Sequence, residues 1–273
     1  MNPLSINAYI CPADHPIADF LPHAAQAGAS AVGLTVRAID EIPVPSLKKR
    51  LNDLGLAASS LNSAGYFLFE DRERSQAQAN TNLRLIEAAA EIKASTLVVI
   101  TGGLSHGSAR LADARSRIKD GLYALAERAA DSGVRLSLEP IHPAGVVNKG
   151  CVNSLRQALD WVKDLPNAGI ALDLYHSWWD PDLPGVARTH RDKIGLVQFC
   201  NVVAIKDPAD LQREAPGTGL IDVAAEIEAL RSDGYSGYFE FELFAEHLRG
   251  RSVKAVIDQA ARFYASLSAA GRG

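Results

Sequence analysis

Cysteine is scarce in this 273-residue chain: Cys11, Cys151 and Cys200 lie far apart and form no C-x-x-C pair. An odd, dispersed set excludes a disulfide framework and predicts a reducing, cytoplasmic home. No stretch approaches the roughly 20 apolar residues that a membrane helix needs. The opening MNPLSINAYICP lacks a basic segment ahead of a long apolar one, so no secretory leader is expected. No basic stripe stands out and the formal net charge is −4, so neither nucleic acid nor an anionic membrane is expected as a partner. Low-complexity blocks and Pro/Gly-rich linkers are missing, which predicts a single domain over residues 1–273. A glycine-rich phosphate fingerprint is missing too. The first apolar run leads into ICPADHP, which counts against a doubly wound nucleotide-binding sheet.

What is present is a full complement of core-forming residues, 47% apolar against 22% charged. Short apolar runs alternate with longer amphipathic stretches. The runs are Ile6–Ile10, Ala31–Val36, Ala57–Leu61, Leu97–Thr101, Val134–Glu139, Gly169–Leu174, Ile194–Cys200 and Tyr238–Leu243. Helical periodicity fills the intervals. SQAQANTNLRLIEAAAEIKA places Leu83, Ile86 and Ala90 on one face; LADARSRIKDGLYALAERAADSG places Ile118, Leu122 and Leu125 together and ends at Gly133. VNSLRQALDWVKDL carries Leu155, Leu159 and Val162, and IDVAAEIEALRSDG opens on Asp222 as an N-cap and closes at Gly234. Strands separated by helices pair in parallel through crossovers, and eight such units predict an α/β fold, a single (β/α)8 TIM barrel. The open doubly wound sheet is the competitor.

Chemistry in such barrels gathers where the strands end. The fifth run stops at Glu139, the sixth at Asp173, and the seventh carries Gln198 in an apolar setting. The eighth carries Glu240 and Glu242, two residues apart and so on one face. Several buried carboxylates together are unfavourable without a counter-charge. Glu139, Asp173, Gln198 and Glu242 would offer an all-oxygen shell of formal charge −3, suited to one divalent ion, Mn²⁺ or Mg²⁺ before Co²⁺ or Zn²⁺. Taken singly, each of these residues could equally be a helix cap or a salt-bridge partner.

The segments LSLEP, ALDLYH, LVQFCN, REAPGTGLID and GYSGYFEFELF resemble the xylose isomerase-like barrels, the sugar phosphate isomerases and epimerases. That family carries Glu-Pro after the fifth strand, Asp-x-x-His after the sixth, His or Gln on the seventh, Arg-x-x-Pro-Gly-x-Gly in the next loop and a Glu on the eighth. The resemblance implies Glu139, Asp173, Gln198 and Glu242 as metal ligands, with Glu139 and Glu242 also moving protons. It implies His176 and Arg213 as contacts to a small, carbohydrate-like substrate. Gln198, in place of the commoner His, is similar to the hydroxypyruvate isomerase and 3-dehydroshikimate dehydratase branches. Asn201 stands where many members have an acid, and PGTG where Pro-Gly-Glu-Gly is common.

A metal that chelates a carbonyl and a neighbouring hydroxyl stabilises an enediolate, while a carboxylate removes the proton α to the carbonyl. Returning the proton gives epimerisation or isomerisation; loss of a β-group gives a lyase or dehydratase. The sequence leaves this choice, the substrate's phosphorylation and any homo-oligomer open. His176 reaches the mouth only if the strand ends before it, because positions three apart face opposite ways on a strand. His142 and Lys206 follow strands and are either loop residues or substrate contacts. Cys200 reads as a small buried hydrophobe, and Trp178 and Trp179 as pocket wall or packing. GLSHG, residues 103–107, matches G-x-S-x-G and offers a rival serine hydrolase built on Ser105 with a later Asp and His247. That reading leaves Glu139, Gln198 and Glu242 without a role.

Overall fold

The computed structural model describes residues 2–104, 110–204 and 211–270. Ten strands are present among them: β1 Leu4–Asn7, β2 Ala31–Thr35, β3 Ala57–Gly65, β4 Leu97–Ile100, β5 Leu136–Leu138, β6 Ala168–Asp173, β7 Ile194–Phe199, β8 Asn201–Ala204, β9 Leu211–Glu214 and β10 Phe239–Phe241. Eight of them close a parallel barrel in the order β1-β2-β3-β4-β5-β6-β7-β10, as the alternation of apolar runs and helices predicts. The helices are α1 Ile17–Gln26, α2 Val36–Glu41, α3 Val44–Asp53, α4 Arg72–Ile92, α5 Leu111–Asp131, α6 Leu155–Val162, α7 Leu174–Ser177, α8 Val186–His190, α9 Val223–Ser232 and α10 Val253–Ala270. No described helix is long and apolar enough to cross a membrane.

Barrel strands are covered on both faces, which is why they read as continuous apolar runs. The helices lay apolar stripes over them: Ile118, Leu122 and Leu125 of α5 are buried, and Asp222 caps α9 by accepting the Ala225 N–H at 3.0 Å. Such a cap stabilises a helix by about 1 kcal/mol. Gly133 and Gly234 follow their helices with φ of +70° and +94°, a conformation glycine adopts without strain.

Three expectations need correction. The first strand ends at Asn7 rather than continuing to Ile10, because the Asn7 side chain accepts the Tyr9 N–H at 2.9 Å and starts a tight turn over Ala8–Ile10. On α4 the buried face is Leu85, Ile86, Ala89 and Ile92, while Leu83 and Ala90 face solvent. The helix is turned by Asn82, whose amide donates to Gly65 O at 3.1 Å and accepts Gly65 N–H at 3.0 Å, tying it to the end of β3. Third, the segment after β7 is not a plain loop: β8 and β9 form an antiparallel hairpin with Val202 opposite Arg213.

Candidate active site

Every acid or amide singled out at a strand end lies at the same end of the barrel. Asp173 is the last residue of β6, Glu139 and Glu242 directly follow β5 and β10, and Gln198 is the penultimate residue of β7. All four are buried. Register explains the grouping: Asp173 pairs with Gln198 across β6 and β7, and Gln198 pairs with Glu240 across β7 and β10. The hairpin then folds Arg213 over them. Its guanidinium donates to Asp173 Oδ2 at 2.5 Å and forms an ion pair with Glu242 Oε2 at 2.9 Å. It is held between the rings of Tyr175 and Phe244, 4.3 and 4.8 Å from their centres.

Beneath these groups Glu240 anchors a polar layer inside the barrel. Ser59 and Ser60 donate to its Oε2 at 2.6 and 2.8 Å, and Asn7 and Gln198 to its Oε1 at 2.7 and 3.0 Å. Four donors satisfy the carboxylate, so Glu240 is a structural acceptor that fixes the Gln198 amide. Gly33 makes room for it, since a Cβ there would lie 2.5 Å from Glu240 Oε2. Gln198 Nε2 also donates to Glu242 Oε1 at 2.8 Å. Glu240 of β10 and Glu242 just beyond it thus share a face, as their period-two spacing predicts, but sit in different layers.

His176 reaches the same centre because the strand stops at Asp173, whose side chain accepts the Tyr175 N–H at 2.9 Å and opens the short α7. Its Nε2 lies 3.5 Å from Glu139 Oε1 and 3.9 Å from Asp173 Oδ2. Its Nδ1 accepts the His142 N–H at 3.2 Å. Burial, with Lys149, Arg213 and His142 nearby, pushes the imidazole well below its usual range, so the ring is neutral. Glu139 and Glu242 move the other way. Burial is the main cause, followed by opposing influences: Lys149 and Arg213 favour the charged forms, while Asp173 disfavours them. Glu139 rises to about 7 and Glu242 to about 8.

The cluster is short of positive charge. Among the described residues, Glu139, Asp173, Glu240 and Glu242 face only Arg213 and Lys149, leaving a formal −2. Glu139 Oε1 and Gln198 Oε1 are buried with no hydrogen-bond donor among the described residues. A buried acceptor without a donor costs about 1–3 kcal/mol, and a cation relieves it. Glu139, Asp173 and His176 offer ligand atoms that all lie within 4.8 Å of one another, so this buried group can hold a metal ion.

The family described as xylose isomerase-like TIM barrel matches residues 21–267. The chain belongs to that family. Among curated proteins it is 31% identical to 3-dehydro-D-guloside 4-epimerase of Escherichia coli (strain K12), over 47% of this chain and 45% of that protein. It is therefore matched to less than half of that relative's length. It is 30% identical to L-ribulose 3-epimerase of Mesorhizobium japonicum (strain LMG 29417 / CECT 9101 / MAFF 303099), over 76% of this chain and 69% of that protein. Among solved structures, protein SMc04130 of Sinorhizobium meliloti 1021 superimposes with a TM-score of 0.87 at 28% identity, covering 97% of this chain and 98% of that one.

Within the family frame, the departure at Asn201 is structural. Asn201 accepts the Val202 and Ile221 N–H groups at 2.8 and 3.1 Å and donates to Ile221 O at 3.1 Å, tying the hairpin to the approach to α9. Cys200 is buried, and Arg213 Nη1 donates to its Sγ at 3.4 Å. Neither tryptophan lines the mouth: Trp179 donates to His176 O at 2.9 Å and sets its ring edge on His142, while Trp178 packs on the core. Ser105 and Lys206 lie outside the described residues.

Sequence reasoning missed the wall. A cavity of about 300 Å³ is lined by Tyr9, Asn62, Tyr66, Lys149, Glu139 and Glu242. Beside it a cavity of about 720 Å³ takes in His142, Lys149, Tyr175, His176, Arg213 and His247. Lys149 and Phe244 border both. An isolated lysine or tyrosine in a loop carries no periodic signal; only the fold brings these to the strand ends.

Proposed function

We propose that this chain is a divalent-metal-dependent isomerase or epimerase of a sugar-like hydroxy-ketone, with Glu139, Asp173, Gln198 and Glu242 as ligands of one Mn²⁺ or Mg²⁺. The observation that carries the reading is that Glu139 and Glu242, both raised toward neutral pH, open onto one cavity. Carboxylates tuned to near the working pH can both take and return a proton. The names of the two curated relatives support return of the proton over loss of a β-group. The donor-free Gln198 Oε1 and the charge deficit support the ion. An all-oxygen set favours Mn²⁺ or Mg²⁺, whereas ligation through His176 would favour a softer metal.

When bound, the ion would supply Lewis-acid polarisation of the substrate carbonyl. The chain's own groups do the rest. Whichever of Glu139 and Glu242 is ionised removes the proton α to the carbonyl and keeps it, while the other, protonated and three strands away round the barrel, donates its own proton to the opposite face. Arg213 and Gln198 fix Glu242 from two sides. Neutral His176, with its proton on Nε2, donates to a substrate oxygen. Tyr9, Tyr66 and Phe244 keep water from the reacting carbon.

The test is loss of the α-proton signal by NMR when the protein is incubated in heavy water with L-ribulose and other keto-sugars. Exchange that disappears with a chelator and returns with Mn²⁺ supports the reading. Exchange indifferent to the chelator, or absent on every sugar tried, sinks it.

A further inference from the structure

Lys149 favours the charged forms of Glu139 and Glu242 from a distance but pairs with neither. Its Nζ lies 3.0 Å from His176 Nε2 and 5.2 Å from the centre of the Phe244 ring. Among the described residues no carboxylate comes within ion-pair distance of it. His176 Nδ1 already accepts the His142 N–H, so the ring proton sits on Nε2. An ammonium has only donors. Two donors therefore face each other at 3.0 Å, and the Glu139 carboxylate, 3.5 Å from Nε2, is beyond ion-pair distance of Lys149 and does not bridge them. One negatively charged oxygen satisfies both.

The surroundings narrow the choice of oxygen. Lys149 borders both cavities, so a group held there belongs to a molecule whose reacting carbon sits between Glu139 and Glu242. Arg213 is already committed to Asp173 and Glu242. Glu246 stands exposed on the rim of both cavities and limits how much negative charge the mouth accepts. One ammonium and one imidazole N–H match a carboxylate of charge −1. A phosphate, at about −1.5 to −2, would be left under-compensated beside Glu246.

We propose that Lys149 is a substrate-binding residue that selects sugar acids, its ammonium and the His176 Nε2–H donating to the substrate carboxylate. This rests on the reading above that the mouth binds a sugar, and it names the substrate class.

The test is calorimetric titration of metal-loaded protein with D-glucuronate, D-glucose, D-galacturonate, D-galactose and glucose 6-phosphate. Wild type is compared with Lys149→Gln and Lys149→Arg, and heavy-water exchange is followed on the same samples. The expected result is uronates bound at least about tenfold more tightly than the matched neutral sugars, the scale of a hydrogen bond to a charged group. Lys149→Gln should erase that preference and Lys149→Arg should keep most of it, read within each protein as the ratio of uronate affinity to that of its matched neutral sugar. Equal binding of acids and neutral sugars, a preference that survives Lys149→Gln, tightest binding of the phosphate, or no sugar bound at all would each overturn the assignment. A Lys149-dependent uronate preference without exchange on any sugar would leave the assignment standing and sink the epimerase reading. Exchange on neutral keto-sugars with no acid preference would do the reverse.

Discussion

Replacing Arg213 by methionine should weaken the metal-free protein far more than the metal-loaded one. The guanidinium is 1% exposed and bridges two buried carboxylates, Asp173 and Glu242. Removing one partner of a buried ion pair leaves an uncompensated charge and costs about 3–5 kcal/mol. Loss of the Tyr175 and Phe244 ring contacts adds about 0.5–2 kcal/mol, partly offset by the packing of the methionine chain. The measurement belongs near pH 8.5, above the raised values of Glu139 and Glu242, where the carboxylates are ionised. Denaturant unfolding in a chelator should then show a loss of about 3–5 kcal/mol relative to wild type. A divalent ion at a concentration of 100 Kd adds about 2.7 kcal/mol to a protein that binds it. In the variant it also replaces the missing charge, so Mn²⁺ should close at least half the gap. A metal-free loss below about 1 kcal/mol, the range of exposed pairs, would refute the charge coupling. An equal loss with and without metal would refute the claim that ion and guanidinium serve the same carboxylates.

Other outcomes follow from the same geometry. Glu139 and Glu242 titrate above the ordinary carboxylate value of 4.5 in the folded state, so the fold holds protons that the unfolded chain releases. Metal-free stability should therefore fall as pH rises from about 4.5 through 7–8, a slope that metal-loaded protein should lack in denaturation series from pH 5 to 9. Glu139→Gln should slow α-proton exchange by about 10²–10⁴-fold, yet leave metal-free melting at pH 8 no lower, because it removes a carboxylate that burial disfavours. Glu240→Leu removes an acceptor shared by Ser59, Ser60, Asn7 and Gln198 and should lower unfolding free energy by about 1–3 kcal/mol in denaturant titrations, since Gln198 and Asn7 keep Glu242 and Ser59 keeps Ser5.

The barrel was legible because each strand is buried on both faces and each helix on one, so period and run length are written into residue type. The acids were legible for a related reason: an apolar run that ends in Glu139 or Asp173 places a charge where the core stops. His176 could be placed only conditionally, since its direction depends on where β6 ends, and that is decided by the Asp173 side chain capping α7. The β8–β9 hairpin was not legible. Its second strand, Leu211–Glu214, is short and polar, and it is held by ladder bonds and by Arg213 reaching inward rather than by an apolar pattern. The α4 face was misread because one polar residue, Asn82, is anchored to the backbone of Gly65 and turns the helix against its leucine count. Lys149 was not legible because its position depends on the whole loop from Ile141 to Gly150, which returns beside Thr101 and Gly102 after β4 and sets Lys149 on His176 of α7.

Anomalous diffraction from a crystal soaked in Mn²⁺ tests the central claim most directly. The account predicts a single peak bonded at roughly 2.0–2.3 Å by oxygens of Glu139, Asp173, Gln198 and Glu242, with His176 free to donate to substrate. A peak on Glu139, Asp173 and His176 that leaves Gln198 and Glu242 unligated, or no peak with Arg213 still bridging Asp173 and Glu242, would contradict it.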